Sequence, residues 1–221
     1  MAIDVPAQQP IRAVLWDFGG VILSSPFVAF AAYERKLGLP TDFIRQLNAR
    51  NPDDNAWARL ERGDYGPADF AAAFEAEAEA LGYRLDGLEV LRLLGGSIQP
   101  EMVAALKAVK ARYKTACLTN NARTGHGPGM AADPARAREI AAVMSLFDAV
   151  IESSKVGCRK PEPRFYEIAC ATLGIAPTEA VFLDDLGINL KPARAMGMRT
   201  IKVAGPAQAI ADLEAVLGHA L

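Results

Sequence analysis

Apolar positions in this chain gather in short runs separated by stretches of helical length. Runs of β character fall at 11–16, 113–119, 148–152, 180–184 and 199–203. Between the later ones the chain alternates strand, helix, strand, which predicts an α/β fold with a Rossmann-like parallel sheet and helices on both faces. In such a sheet, ligands bind at the C-terminal ends of the strands.

The region 24–95 breaks that rhythm and reads as helical throughout. Pro67 suits the first position of a helix on which Phe70, Phe74 and Leu81 share one face. Thr41 is placed to cap the helix in "TDFIRQLNA", and Asp86 with Glu89 outlines a capping box ahead of "LEVLRLL". The expectation is a discontinuous core, 11–23 with 96–221, and a helical cap at 24–95 inserted after the first strand. Residues 1–10 read as a flexible tail. The plainer reading of 24–95 is ordinary helices packed into a single domain.

Composition narrows the function classes. The chain has 221 residues, 51% of them hydrophobic, and a formal net charge of -2. That is enough for a substantial core, and too little positive charge for a nucleic-acid footprint. No apolar run approaches the ~18 residues that span a bilayer, and no secretory pattern opens the chain, so a membrane partner is not expected. Cys117, Cys158 and Cys170 lack metal-site or disulfide-framework spacing, which fits a cytoplasmic setting. Two histidines, His126 and His219, leave little for a histidine triad or a His-rich zinc site.

Chemistry is concentrated where the strands end. The run 13–16 stops at Asp17 and is followed by Phe18, Gly19 and Gly20, a carboxylate with glycines that let backbone amides approach an anion. The second strand ends on Thr119 and Asn120, a hydroxyl and an amide able to donate to phosphoryl oxygens. Lys160 precedes a stiff Pro-Glu-Pro turn. The run 180–183 delivers adjacent carboxylates, Asp184 and Asp185, with Asn189 beyond. Two acids at a buried strand tip repel unless a cation neutralises them, and Mg²⁺ is the natural oxygen-seeking candidate. Singly, each residue has an ordinary explanation in a turn or a solvated side chain. Together, at one sheet edge, they are what phosphoryl transfer to a carboxylate requires.

Two other patterns compete. Cys117 and Arg123 have the spacing of cysteine-dependent phosphatases, although Cys117 lies inside an apolar strand. The glycines of "TGHGPGM" lack the strand–helix context of a dinucleotide site and read instead as a loop running into a helix.

The segments "WDFGGVI", "CLTNN", "GCRKPEP" and "FLDDLGINLKPARAMGMRTI" resemble, in order and character, the four motifs of the haloacid dehalogenase-like hydrolase superfamily. The resemblance runs from about residue 11 over nearly the whole chain. It is nearest to the branch with the phosphatase domain of soluble epoxide hydrolase, the hydrolase-like domain of acyl-CoA dehydrogenase family member ten and bacterial glucose-1-phosphate phosphatases. It implies Mg²⁺-dependent hydrolysis of a small phosphate monoester, a sugar phosphate or similar. Asp17 would attack phosphorus and become an aspartyl phosphate. Asp17, Asp185 and the Gly19 carbonyl would hold Mg²⁺, with Asp184 and Asn189 in support. Phe18, Gly19, Thr119 and Asn120 would bind the phosphoryl group, and Lys160 would offset its charge.

One position departs from the pattern. Phosphatases of the superfamily usually carry a second aspartate, an acid and base, where this chain has Gly19. Its absence implies a bias toward good leaving groups such as anomeric or acyl phosphates. Haloacid dehalogenases also lack that aspartate but use no metal, and the Asp184–Asp185 pair argues against their chemistry. A binding protein that kept the fold without turnover is the third reading. In "NAWARLERGDY", Trp57, Arg59, Glu61 and Arg62 are placed either to meet substrate or to pack the inserted helices and face water.

Overall fold

A computed structural model describes residues 9–123, 127, 129–131 and 133–221. Most of the expected tail, residues 1–8, lies outside the described residues, as do His126 and parts of the glycine-containing stretch.

The chain opens with β1 (Ala13–Trp16) and then forms five helices: α1 (Phe27–Leu37), α2 (Phe43–Asn48), α3 (Ala56–Arg62), α4 (Pro67–Glu79) and α5 (Gly87–Arg92). After α6 (Pro100–Lys110) come β2 (Lys114–Thr119), α7 (Pro134–Met144), β3 (Ala149–Glu152) and the short α8 (Ser153–Val156). The chain then runs through α9 (Pro163–Leu173), β4 (Ala180–Asp184), α10 (Gly187–Ala195), β5 (Arg199–Lys202) and α11 (Pro206–Leu217). The five strands form one sheet in the order β3-β2-β1-β4-β5, with every pair parallel.

Alternate residues of a strand point to opposite faces, and the two faces bury different clusters. Val14, Trp16, Val181 and Leu183 pack with residues of α6, α7 and α11 on one side. Ala13, Leu15, Ala180 and Phe182 pack with residues of α9 and α10 on the other. The expected Rossmann-like sheet with helices on both faces is therefore present. β1 occupies the centre, which is why all four of its residues are buried.

The five helices between β1 and α6 surround an apolar cluster of their own, with Phe30, Ile44, Leu60, Phe70 and Phe74. Trp57 sits at its middle, edge-on to Phe30 and Phe70 at ring-centroid separations of 6.4 and 5.2 Å. Pro67 takes the first position of α4 as its fixed φ predicts. Thr41 does not cap α2. The buried Glu34 of α1 does that work, accepting the backbone N–H groups of Asp42 at 3.0 Å and Ile44 at 2.9 Å. At α5 only half the capping box forms. Asp86 accepts from the Glu89 N–H at 2.9 Å, while its own N–H donates to the Tyr33 hydroxyl and Glu89 pairs with Arg92.

Candidate active site at the C-terminal edge of the sheet

The register of β1 and β4 places Trp16 beside Leu183, and the Asp17 N–H donates to the Leu183 carbonyl at 2.8 Å. Asp17 and Asp184 are thereby held at neighbouring strand tips, with Asp185 one residue on. Oxygen atoms of these three carboxylates lie within 4.8 Å of one another. Thr119 ends β2 on the other side of β1, and Lys160 arrives from the turn that leads into α9. All of the strand-end residues singled out from sequence meet here.

One ammonium serves two acids. Lys160 is 1% exposed, with Nζ 2.7 Å from Asp17 Oδ1 and 2.8 Å from Asp184 Oδ2. The Phe18 N–H also donates to Asp17 Oδ1, at 2.6 Å. Burial alone would pull the lysine's pKa down, but the two carboxylates outweigh it and hold the pKa above the ordinary lysine value. Asp17 is pushed well above the usual carboxylate range by burial, opposed by Lys160 and reinforced by Asp184 and Asp185. Asp185 is pushed up to about 6, by burial first and by Asp184 second.

Asp184 and Asp185 differ in kind. Asp184 is fully buried, and its acceptor positions are filled. Oδ1 accepts from the Leu186 N–H at 2.8 Å and from Asn189 Nδ2 at 3.0 Å, while Oδ2 accepts from Lys160 and again from Asn189 Nδ2. Asp185 is only partly buried and borders the cleft. Among the described residues Lys160 pairs with two of these three carboxylates, and hard oxygen donors so closely spaced fit Mg²⁺. Asp17 and Asp185 would offer it their oxygens, and Asp184 with Asn189 would brace the site from behind.

The two glycines after Asp17 differ as well. Gly20 has φ +77°, and a Cβ there would overlap the Asp185 carboxylate, so the position demands glycine. Gly19 is exposed beside the cleft, and a Cβ added there would meet nothing within 4 Å.

Asn120 is engaged differently from the free amide that the sequence suggested. Its Oδ1 accepts the Lys160 N–H at 2.9 Å, and its Nδ2 donates to the Lys160 carbonyl at 3.0 Å and to Glu61 Oε2 at 3.2 Å. It ties down the backbone of the lysine. The cysteine alternative does not survive the geometry. Cys117 is fully buried within β2, burial pushes its thiol pKa far up, and Arg123 donates to the Ser154 carbonyl.

Above these groups lies a cleft of about 380 Å³ between the sheet edge and the inserted helices. Phe27, Phe30, Ile44, Trp57, Leu94 and Ile188 give it much of its wall. Of the residues flagged in "NAWARLERGDY", Trp57 both packs the helical cluster and reaches the cleft. Arg59 turns away to Asp54 and Tyr65. Arg62 bonds Glu162, and Glu61 enters the cleft wall. Sequence reasoning missed Arg45, which lies 4.4 Å over the Phe27 ring, and Arg159, which pairs with Glu61 at 2.8 Å. Arg159 carried a signal in standing next to Lys160, whereas Arg45 carried none.

Comparison with known proteins agrees with this arrangement. The chain is 33% identical over 216 residues to mouse (Mus musculus) acyl-CoA dehydrogenase family member 10, covering 95% of this chain and 19% of that protein. It is 33% identical over 225 residues to pig (Sus scrofa) bifunctional epoxide hydrolase 2, covering 94% of this chain and 39% of the hydrolase. The chain thus spans well under half the length of these relatives. A phosphatase of Mycobacterium tuberculosis is 28% identical, with 87% of each chain covered.

Among solved structures, L-2-haloacid dehalogenase from Xanthobacter autotrophicus superposes with a TM-score of 0.60 at 22% identity, covering 93% of this chain and 82% of the other. A Bacteroides thetaiotaomicron enzyme of the same fold, solved with magnesium and inorganic phosphate, superposes at 0.55 and 22% identity, covering 86% and 93%. Residues 11–197 match the haloacid dehalogenase-like hydrolase family as a whole. With its strand-end acids, its buried lysine and that match over most of its length, the chain belongs to the haloacid dehalogenase-like hydrolases.

Proposed function

We propose that this hydrolase is a Mg²⁺-dependent phosphatase acting on a small phosphate monoester, with residues 24–95 as its helical cap. The observation that carries the reading is the trio Asp17, Asp184 and Asp185, with oxygens within 4.8 Å and, among the described residues, Lys160 paired with two of them. A site so rich in negative charge suits a reaction in which a divalent cation accompanies the substrate.

Asp17 attacks phosphorus through a carboxylate oxygen, the ester P–O bond breaks, and the leaving alkoxide takes up a proton. Water then hydrolyses the aspartyl phosphate, which returns the carboxylate and releases phosphate. Lys160 offsets the charge of nucleophile and phosphoryl group and holds Asp17 Oδ1. The Thr119 hydroxyl and the Gly19 backbone would bind phosphoryl oxygens, while the Phe18 N–H is engaged by Asp17. Mg²⁺, held by Asp17, Asp185 and the Gly19 carbonyl, would supply the charge that lets two anions approach. Asp184, braced by Asn189, keeps Lys160 in place. The apolar cleft wall of Phe27, Phe30, Ile44 and Leu94 supports an aromatic or aliphatic group beside the phosphate over a polyhydroxylated sugar.

The test is phosphate release from para-nitrophenyl phosphate with Mg²⁺ and with EDTA, run on the wild type and Asp17→Asn. Metal-dependent turnover that disappears in Asp17→Asn is the expected result. Halide release from 2-chloropropionate without metal would replace this reading with dehalogenation.

A further inference from the structure

The turn that carries Lys160 is held from both sides, and much of the hold comes from the inserted helices. Glu61, at the end of α3, accepts from Asn120 Nδ2 at 3.2 Å and pairs with Arg159 at 2.8 Å, both through Oε2. Its other oxygen accepts the Trp57 indole N–H at 3.0 Å, so the carboxylate cannot swing freely. Asn120 in turn grips both backbone groups of Lys160. On the far side of the lysine, Arg62 of the same helix lies 2.9 Å from Glu162. Arg159 Nη1 also donates to the Pro52 carbonyl at 3.0 Å. The Glu61 and Arg159 side chains are 13% and 12% exposed, so this pair is shielded far more than an ordinary surface ion pair.

We propose that Glu61 is a positioning residue of the reaction: through Asn120 and Arg159 it fixes the backbone of Lys160, and so the distance of the ammonium from Asp17. Its carboxylate acts through the turn and not on the substrate. A catalytic lysine at the tip of a turn has no strand or helix hydrogen bonds to locate it, and Asn120 with Glu61 supplies the missing constraint. An ammonium displaced by about 1 Å from its productive place is enough to cost on the order of 10²-fold in rate.

The experiment follows the lysine itself, so only its kinetic arm rests on the phosphatase reading. In protein labelled with [¹⁵N]lysine, the Lys160 ammonium resonance is assigned by its loss in Lys160→Met. Glu61→Ala is expected to shift or broaden that resonance, while the near-isosteric Glu61→Gln, which keeps an oxygen acceptor, moves it less. With para-nitrophenyl phosphate and Mg²⁺, Glu61→Ala is expected to lower kcat about 10- to 100-fold. KM should stay within about threefold, the split expected of a residue that does not touch substrate. An ammonium resonance unchanged in Glu61→Ala overturns the proposal, as does a raised KM at unchanged kcat. If the wild type turns over no phosphate ester, the phosphatase reading fails, and the resonance still decides the role of Glu61.

Discussion

Asn189 donates its side-chain amide to both oxygens of Asp184, at 3.0 Å each. Asn189 is itself fixed at its backbone, where Tyr166 donates its hydroxyl to the Asn189 carbonyl at 2.6 Å. A carboxylate so fully engaged is a structural group that holds Lys160 in place. Asp184→Ala leaves the buried ammonium with Asp17 alone and strands the Asn189 amide. The expected cost is about 3–5 kcal/mol of stability, the range for breaking a buried ion pair, read by urea denaturation. Asn189→Ala removes one donor and leaves the lysine pair intact, so it should cost less, about 1–3 kcal/mol.

Asp185 should set how metal affinity depends on pH. Its pKa is pushed up to about 6, and a metal ligand must be deprotonated, so proton and Mg²⁺ compete for it. Above pH 6 the Asp185 carboxylate is free, and any slope that remains belongs to Asp17, whose pKa is also raised. Below pH 6, affinity falls as the proton binds, approaching about tenfold per pH unit. Calorimetric titration with Mg²⁺ between pH 5 and 8 should show that bend. A profile flat down to pH 5 would contradict a raised Asp185.

Gly19 and Gly20 should respond oppositely to substitution. Gly19→Asp has open space beside the cleft and restores a titratable group, so it should accelerate esters with poor leaving groups, by up to about 10²-fold. The check is a series of aryl phosphates of rising leaving-group pKa, on which the variant's rates should fall less steeply than the wild type's. Gly20→Ala meets both a φ of +77° and the Asp185 carboxylate. It should lose Mg²⁺ affinity and stability together, measured by calorimetry and thermal melting.

Glu34 should prove important to the inserted helices despite its distance from the chemistry. Its carboxylate holds the Asp42 and Ile44 N–H groups at the start of α2, and it is 3% exposed. Glu34→Ala leaves two backbone donors without that partner and opens a void, for a loss of about 2–4 kcal/mol in chemical denaturation. Glu34→Gln keeps one strong acceptor and should lose about half as much.

These cases also show what a sequence can reveal. The sheet was legible because apolar runs end abruptly on Asp17, Thr119 and Asp184, and parallel topology brings such ends to one edge. The gathering of the candidate site's residues at one edge was legible for the same reason. Contacts spanning large separations left no trace in the periodicity. The Asn120–Glu61 bond joins residues 59 apart, and the Arg62–Glu162 bond joins residues 100 apart. Thr41 looked like a cap because local chemistry favours Thr, but a buried acid from the preceding helix offered two hydrogen bonds in its place. Arg45 could not be read at all, since its stacking on Phe27 depends on how two helices meet.

The strand order has a consequence for how this molecule is made. β1 emerges first, yet its sheet neighbours are β2 and β4, roughly 100 and 170 residues later in a chain synthesised at about 5–20 residues per second. For roughly ten to thirty seconds the most apolar strand has an unpaired edge on at least one side, the condition that invites association between nascent chains. Until β4 docks, Asp17 also lacks Asp184 and Asp185, so no shorter fragment carries the complete acid cluster. Assembly of that cluster therefore reports on the docking of β4.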